Sequence, residues 1–167
     1  MATDRFIYGI WMLGQNYKGS GYYGAYPPAY IKRITSLFPD AKSILHLFSG
    51  SLTEDIAGDR FDINPDLNPD ICGNAEELSK LVDKKYNLIL ADPPYSEEDA
   101  NKYGVPMVSR HKVFKECEKI LEKNGVVCWL DMICPMWKKD NLEMFLTVGI
   151  IRSSNHRFRI VTGFQKL

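Results

Sequence analysis

The chain has 167 residues, 45% of them hydrophobic, which is enough for one domain with a substantial core. Its 21 lysine and arginine residues are balanced by 21 acidic residues, which argues against tight, autonomous binding of duplex DNA through many phosphate contacts. The sequence contains neither a long apolar run nor a secretory leader, so we expect a cytoplasmic protein without a membrane segment.

The first 28 residues are rich in glycine and tyrosine, and Pro27-Pro28 close the stretch. Because glycine favours neither helix nor strand, we expect mostly irregular chain, packed as an arm on a main domain that spans 29–167. Apolar residues spaced by three then predict a short amphipathic helix over 29–37.

Two short strands follow, at 43–48 and 60–63. Only twelve positions separate Gly50, after the first strand, from Asp62 in the second, so the crossover helix between them must be very short or absent. The rest of the chain predicts, in order, a helix at 76–82, a buried strand at 86–91, a polar loop at 96–109, a helix at 111–122, a strand at 126–130, a helix at 136–146 and strands at 149–152 and 158–164. Alternating strands and helices indicate one α/β domain with a twisted, mainly parallel sheet and helices on both faces.

Three groups of polar residues follow strands of this predicted sheet. They are Ser49-Gly50-Ser51, Asp62 and Asp92. In an open α/β sheet, ligands bind beyond the carboxyl ends of the strands, so these positions predict a shared site. Taken singly, a glycine after a strand also fits a plain turn, and Asp62 also fits a cap. The loop lacks the G-x-G-x-x-G spacing of a dinucleotide site, whereas an acidic residue at Asp62 suits the two hydroxyls of a ribose.

Asp92-Pro93-Pro94-Tyr95 is the most specific motif. Consecutive prolines cannot continue a central strand, so they form a stiff turn with unpaired carbonyl groups. The nitrogen of an aromatic amine is a poor nucleophile because its lone pair is delocalised into the ring. Two acceptors, the Asp92 carboxylate and the Pro93 carbonyl, could hold the amino hydrogens and direct that lone pair at a methyl donor. The Tyr95 ring offers a surface on which an extruded base could stack. A rigid turn with a capping aspartate is the structural alternative.

With these residues the sequence resembles the amino-group branch of the class I S-adenosylmethionine-dependent methyltransferases, whose catalytic signature is [DNS]-P-P-[YFW]. The resemblance implies a single Rossmann-like domain with an antiparallel C-terminal strand and S-adenosylmethionine as cofactor. It implies catalytic roles for Asp92, Pro93, Pro94 and Tyr95. The cofactor residues that it implies are Tyr26, Pro27, Phe48, Ser49, Gly50, Ser51, Asp62, Ile63, Asn74, Ala75 and Asp92.

No inserted recognition domain separates the cofactor segments from the catalytic strand, so substrate selection would come from the loop at 96–112, from the tail or from a protein partner. Arg110, His156 and Arg157 are the candidate substrate contacts. The tail between 152 and 159 fits a hairpin that grips phosphates, and it fits an ordinary solvated turn equally well. Four cysteines and three histidines without metal-ligand spacing predict neither a zinc site nor a disulfide framework.

The function expected from the resemblance is methylation of an exocyclic amino group, adenine N6 or cytosine N4, in nucleic acid, with DNA preferred over RNA. Two alternatives stay open. The same signature serves planar amide and amine nitrogens, so RNA or a protein glutamine side chain is a second substrate class. The third possibility is a non-catalytic module that binds nucleic acid or cofactor and has kept the fold.

Overall fold

The computed structural model describes residues 6–14, 26–27, 29–152 and 158–167. These residues form one sheet whose eight strands lie in the order β1-β7-β8-β6-β5-β2-β3-β4. The strands are β1 (Ile7–Leu13), β2 (Ile44–Leu47), β3 (Asp59–Asp62), β4 (Ile71–Cys72), β5 (Tyr86–Ala91), β6 (Leu121–Asp131), β7 (Leu142–Arg152) and β8 (Phe158–Lys166). All neighbouring strands are parallel except β8, which is antiparallel to both β6 and β7. The predicted antiparallel C-terminal strand is therefore confirmed.

Helices cover both faces of the sheet, as the sequence predicts. They are α1 (Tyr30–Thr35), α2 (Leu78–Leu81), α3 (Glu97–Tyr103) and α4 (Arg110–Ile120). The side chains of β5 alternate between two apolar clusters: Ile89 packs with α2 and α4, while Leu88 and Leu90 pack with α1 on the opposite face. Because both faces of the central strands are buried, the sequence of β5 is a nearly continuous apolar run.

The crossover from β2 to β3 contains no helix, which confirms the expectation from its length. His46, fully buried in β2, places its Nε2 atom 3.0 Å from the Ala57 carbonyl oxygen and so ties the turn to the strand. The short connection brings the carboxyl ends of β2 and β3 side by side.

The expectation of irregular chain before residue 29 is wrong for Ile7–Leu13, which forms the edge strand β1. It pairs in parallel with β7, with Ile7 opposite Leu146 and Leu13 opposite Arg152. This pairing partner lies at the far end of the sequence, so local glycine content could not reveal it. Residues 1–5, 15–25 and 28 lie outside the described residues.

Two further expectations, for the chain after the catalytic motif, are wrong. The predicted helix at 136–146 is instead irregular chain and a turn up to residue 141, followed by the start of β7 at Leu142, because pairing with β8 overrides the local helical spacing. The predicted polar loop at 96–109 contains α3. The Ser96 hydroxyl accepts a hydrogen bond from the Asp99 backbone N–H at 3.1 Å, and Gly104 ends the helix at φ 69°. None of the helices in the described part of the chain combines the length and apolar character needed to cross a membrane.

Candidate functional site

The three predicted sites meet at one edge of the sheet because β5, β2 and β3 are neighbours in that order. The Gly50 backbone N–H donates to Asp62 Oδ2 at 2.9 Å, which joins the loop after β2 to the end of β3. The Asp92 backbone N–H donates to the Leu47 carbonyl at 3.3 Å, which joins the residue after β5 to the last residue of β2, directly before this loop. Parallel strands lie about 4.8 Å apart, so these residues form one continuous cleft edge.

The loop after β2, Phe48-Ser49-Gly50-Ser51, has an unusual backbone. Phe48 has φ 63° and Gly50 has φ 55°, both in the left-handed region. Glycine adopts this conformation freely, but a bulky residue such as Phe48 does so only when surrounding contacts hold it there. The Ser49 N–H donates to the Phe61 carbonyl at 3.0 Å, and the buried Ser49 hydroxyl has no hydrogen-bond partner. The loop is therefore preformed, and it offers a polar group to a ligand.

Asp62 organises the backbone around this loop. One carboxylate oxygen accepts from Gly50 N–H and the other accepts from Asn64 N–H at 3.0 Å. Each carboxylate oxygen can accept a further hydrogen bond, so Asp62 keeps the capacity to bind two hydroxyl groups of a ligand.

A small, mainly apolar pocket is lined by Phe61 and Ile63, the two neighbours of Asp62 in the sequence. Five of its lining residues were singled out from the sequence: Phe48, Ile63, Asn74, Ala75 and Pro94. The other five were not: Phe61, Gly73, Val105, Pro106 and Val108. The signal for the missed group was an apolar stretch at 105–108 within an otherwise polar segment. Asn74 Oδ1 accepts from the Glu76 N–H at 2.9 Å, and this bond leaves the Asn74 amide NH₂ as a donor. A mainly apolar wall with one amide group suits a planar heterocycle such as adenine.

The turn after β5 carries the proposed catalytic groups. Pro93 and Pro94 are buried, and the Tyr95 hydroxyl donates a 2.5 Å hydrogen bond to Asp92 Oδ1. Burial raises the pKa of Asp92 from its ordinary value of 3.8 to about 7, against the opposing effects of the Tyr95 hydrogen bond and the positive charge of Arg159. Among the described residues, no backbone N–H donates to the Pro93 carbonyl. The turn therefore holds a carboxyl group that titrates near neutral pH and an unpaired carbonyl acceptor.

Tyr26 packs beneath this turn. Its hydroxyl donates to the Leu90 carbonyl at 3.1 Å, and its ring stacks on Tyr30 with centroids 5.5 Å apart. Burial raises the pKa of Tyr26, and the nearby Asp92 and Asp62 carboxylates raise it further. The structure thus places Tyr26 between the two acidic positions of the site, with the buried Pro27 directly after it.

Arg110, singled out from the sequence as a candidate substrate contact, also braces the turn after β5. Its Nε donates to Asp131 Oδ2 at 2.7 Å, and a terminal nitrogen donates to the Tyr95 carbonyl at 2.7 Å. Asp131, at the end of β6, is fully buried and also accepts from the Trp129 indole N–H at 3.2 Å. Sequence reasoning missed Asp131, although an aspartate that ends a buried strand was the available signal.

Arg159, at the start of β8, is the last residue of the arginine-rich tail at 152–159, although it was not among the individual candidate substrate contacts. Its guanidinium lies 5.0 Å from the centroid of the Tyr95 ring, a cation–π contact. The proposed substrate contacts His156 and Arg157 lie outside the described residues. The sequence placed an arginine-rich segment here but could not show which guanidinium reaches the turn after β5. Within the described residues, no group of acidic, cysteine or histidine side chains is arranged to hold a metal ion.

Solved structures similar to this chain carry the same fold. TrmN from Thermus thermophilus aligns with 86% of this chain at a TM-score of 0.64 and 13% identity, and the chain spans only 50% of that protein. The N-methyltransferase NodS from Bradyrhizobium japonicum WM9, solved in complex with S-adenosyl-L-homocysteine, aligns with 81% of this chain at a TM-score of 0.57 and 12% identity, over 83% of its own length. No family model matches the sequence, and no curated protein matches it either. At these identities the likeness shows the Rossmann-like methyltransferase fold.

Proposed function

We propose that this protein is an S-adenosylmethionine-dependent N-methyltransferase that acts on an exocyclic amino group of a nucleic-acid base, adenine N6 or cytosine N4, with DNA ahead of RNA. One observation carries the proposal. The Asp92 carboxyl, held by the Tyr95 hydroxyl and followed by two buried prolines, lies at the carboxyl end of β5 beside the Gly50–Asp62 contact. The fold shared with an N-methyltransferase solved with S-adenosyl-L-homocysteine supports the same activity.

The residues of the cleft fit S-adenosylmethionine. Asp62 would accept hydrogen bonds from the ribose hydroxyls, and the apolar pocket that includes Ile63 and Ala75 would hold the adenine. Tyr26 and the preformed loop at 48–51 would lie along the methionine end. When bound, S-adenosylmethionine supplies an electrophilic methyl group, and no covalent bond to the enzyme is required.

The residues of the turn would orient the acceptor nitrogen. Asp92 and the Pro93 carbonyl would accept the two amino hydrogens, so that the nitrogen lone pair faces the methyl donor. Because the pKa of Asp92 is about 7, its carboxylate can also take the proton that the nitrogen loses after transfer. Tyr95 would stack against the base, and Arg110 would act as a positioning residue through its bond to the Tyr95 carbonyl.

Several features of the proposal rest on the sequence. They are the boundary between an N-terminal arm and the main domain at residue 28, a cytoplasmic location, and a protein partner that assists substrate recognition. The near-neutral charge favours such a partner, since few excess cations are available to bind a duplex.

The test is transfer of a labelled methyl group from S-adenosylmethionine to separate pools of single-stranded DNA, duplex DNA, RNA and protein. We expect incorporation into DNA by the wild type and none by Asp92→Ala, while calorimetry shows that both proteins bind the cofactor. Asp83→Ala, which removes an exposed carboxylate, is the matched control and should retain activity. Full activity of Asp92→Ala would refute the assignment, and incorporation only into RNA or protein would move the substrate to that class.

A further inference from the structure

Arg159 is a buried cation at the edge of the catalytic turn. The residue is only 9% exposed, and its Nε atom is buried without a hydrogen-bond partner. Its guanidinium lies over the Tyr95 ring, and its charge acts on Asp92. Arg159 is therefore a buried guanidinium with an unused donor, packed against the ring of Tyr95 in the turn after β5.

The charge of Arg159 has no matching anion within the described part of the chain. Among the residues that the structure describes, no carboxylate forms an ion pair with Arg159, whereas the neighbouring Arg110 is paired with Asp131. Asp92 offers only partial compensation, because its carboxyl is engaged by Tyr95 and is about half protonated near pH 7. A buried cation without a partner is costly, so an anionic ligand at this position would be strongly favoured.

A second arginine lies beside it. Arg159 pairs with Ile150 across β7 and β8, so Arg152, two residues after Ile150, lies on the same face of the sheet. The Nε atom of Arg152 is likewise buried without a hydrogen-bond partner. Arg152 ends β7 at the carboxyl edge of the parallel strands, the edge that carries Asp92. Arg152 and Arg159 thus share one face of the sheet at its carboxyl edge.

Their position in the sheet indicates which ligand supplies the anion. The strands from the Gly50 loop outward are β2, β5, β6, β8 and β7. Arg159 on β8 is three strand spacings from β2, a lateral distance of roughly 14 Å, and Arg152 is one strand farther. Asp92 lies between the proposed cofactor loop and both arginines. The arginines are therefore on the substrate side of the site rather than on the cofactor side.

We propose that Arg159, with Arg152 beside it, binds a phosphate group of the nucleic-acid strand next to the target base; this inference rests on the proposed function. The planar guanidinium matches the paired oxygens of a phosphodiester and forms charge-assisted hydrogen bonds with them. By binding the phosphate next to the target base, Arg159 would hold the extruded base against Tyr95. The other source of an anion in this cleft is the carboxylate of S-adenosylmethionine.

The test measures binding of a single-stranded thymidine oligomer that carries one central adenine or cytosine, with S-adenosylhomocysteine present. In one version every linkage is a phosphate, and in the other the two linkages flanking the central base are neutral methylphosphonates. Fluorescence anisotropy gives the dissociation constants for wild type, Arg159→Gln and Arg159→Lys. Arg33→Gln, which removes an exposed arginine on α1, is the matched control. Thermal unfolding of each variant checks its fold, and the lysine variant keeps the charge if glutamine disrupts packing.

We expect methylphosphonates to weaken wild-type binding about tenfold or more, the effect of losing a charge-assisted bond, and to leave Arg159→Gln nearly unaffected. The slope of the logarithm of the binding constant against log[salt] should become shallower by about 0.7 in Arg159→Gln, because about 0.7 is the change expected when one contact to a phosphate of a single strand is lost. Equal methylphosphonate penalties in wild type and Arg159→Gln would overturn the inference, as would absence of oligomer binding by the wild type. Weaker S-adenosylmethionine binding by Arg159→Gln with an unchanged methylphosphonate penalty would also overturn it and assign the anion to the cofactor.

Failure of the proposed function would look different. If the oligomer binds with the expected dependence on Arg159 but receives no methyl group, the phosphate site stands and the reaction does not. If the oligomer is methylated but its binding is indifferent to the flanking phosphates, the reaction stands and the phosphate site does not.

Discussion

Replacing Asp92 by asparagine should stabilise this protein at alkaline pH. Burial raises the pKa of Asp92 from 3.8 to about 7, so the folded protein binds this proton more tightly than the unfolded chain does. Between these two pH values the unfolded state ionises first, and the free energy of unfolding therefore falls as pH rises. Above pH 7 the full penalty for the ionised form corresponds to about 4 kcal/mol, at 1.36 kcal/mol for each pH unit.

Asparagine resembles the protonated aspartate in size and accepts the same hydrogen bond from Tyr95, so it removes this penalty without removing the contact. Asp92 keeps some exposure to solvent, which offsets part of the penalty, and we expect a gain of about 1–3 kcal/mol at pH 8. The gain should shrink as pH falls and approach zero only below pH 3.8, where the aspartate is protonated in both states. A catalytic carboxylate held ionised at the expense of stability would explain this behaviour.

Urea unfolding followed by tryptophan fluorescence measures the effect, since Trp129 is fully buried in the core. Wild type, Asp92→Asn and the exposed control Asp83→Asn should be compared at pH 4.5, 6 and 8. The control should not change the pH dependence. If Asp92→Asn were less stable than wild type at pH 8, or if its effect were the same at all three pH values, the buried, raised-pKa description of Asp92 would be refuted.

Three further changes test the site. Methyl transfer by the wild type should rise with pH through about 7 as Asp92 ionises, and Tyr95→Phe should move that rise to higher pH, because the lost hydrogen bond favours the ionised form. Arg110→Met should lower the free energy of unfolding by about 3 kcal/mol in urea titrations, since it leaves the fully buried Asp131 unpaired. Asp62→Ala should weaken S-adenosylmethionine binding about tenfold or more by calorimetry, because the loop loses its acceptor for Gly50 N–H and the ribose loses its partner.

Two of these changes, Arg110→Met and Asp62→Ala, have matched controls on the surface. Lys80→Ala breaks an exposed ion pair with Glu77 and should leave stability unchanged within error, in contrast to Arg110→Met. Asp66→Ala removes an exposed carboxylate close to Asp62 in sequence and should leave cofactor affinity intact. A pH profile of Tyr95→Phe that matched the wild type would contradict the effect of the Tyr95–Asp92 hydrogen bond. An Arg110→Met variant as stable as Lys80→Ala would contradict the Arg110–Asp131 pair. Equal cofactor affinities for Asp62→Ala and Asp66→Ala would contradict the role of Asp62.

The sequence predicted the strands around the site because their signals are local. The apolar run at 86–91 and the prolines after it fixed the position of Asp92 at a strand end, and the short interval from Gly50 to Asp62 correctly excluded a crossover helix. The capping signals of α3 were local as well. Ser96, the acidic residues after it and Gly104 mark the start and end of a helix, and a loop was expected only because these signals were not used.

By itself, therefore, the sequence determined the α/β class and the turn at Asp92-Pro93-Pro94-Tyr95 after a buried strand. Only the tertiary structure decided that Ile7–Leu13 and Leu142–Arg152 are neighbouring strands, because a strand is stabilised by a pairing partner that its own residues do not specify. The same holds for the contacts around Asp92. Tyr95 and Arg159 lie far apart in the chain, and their contact exists because β8 runs antiparallel beside β6 and returns its first residues to the carboxyl edge of the sheet.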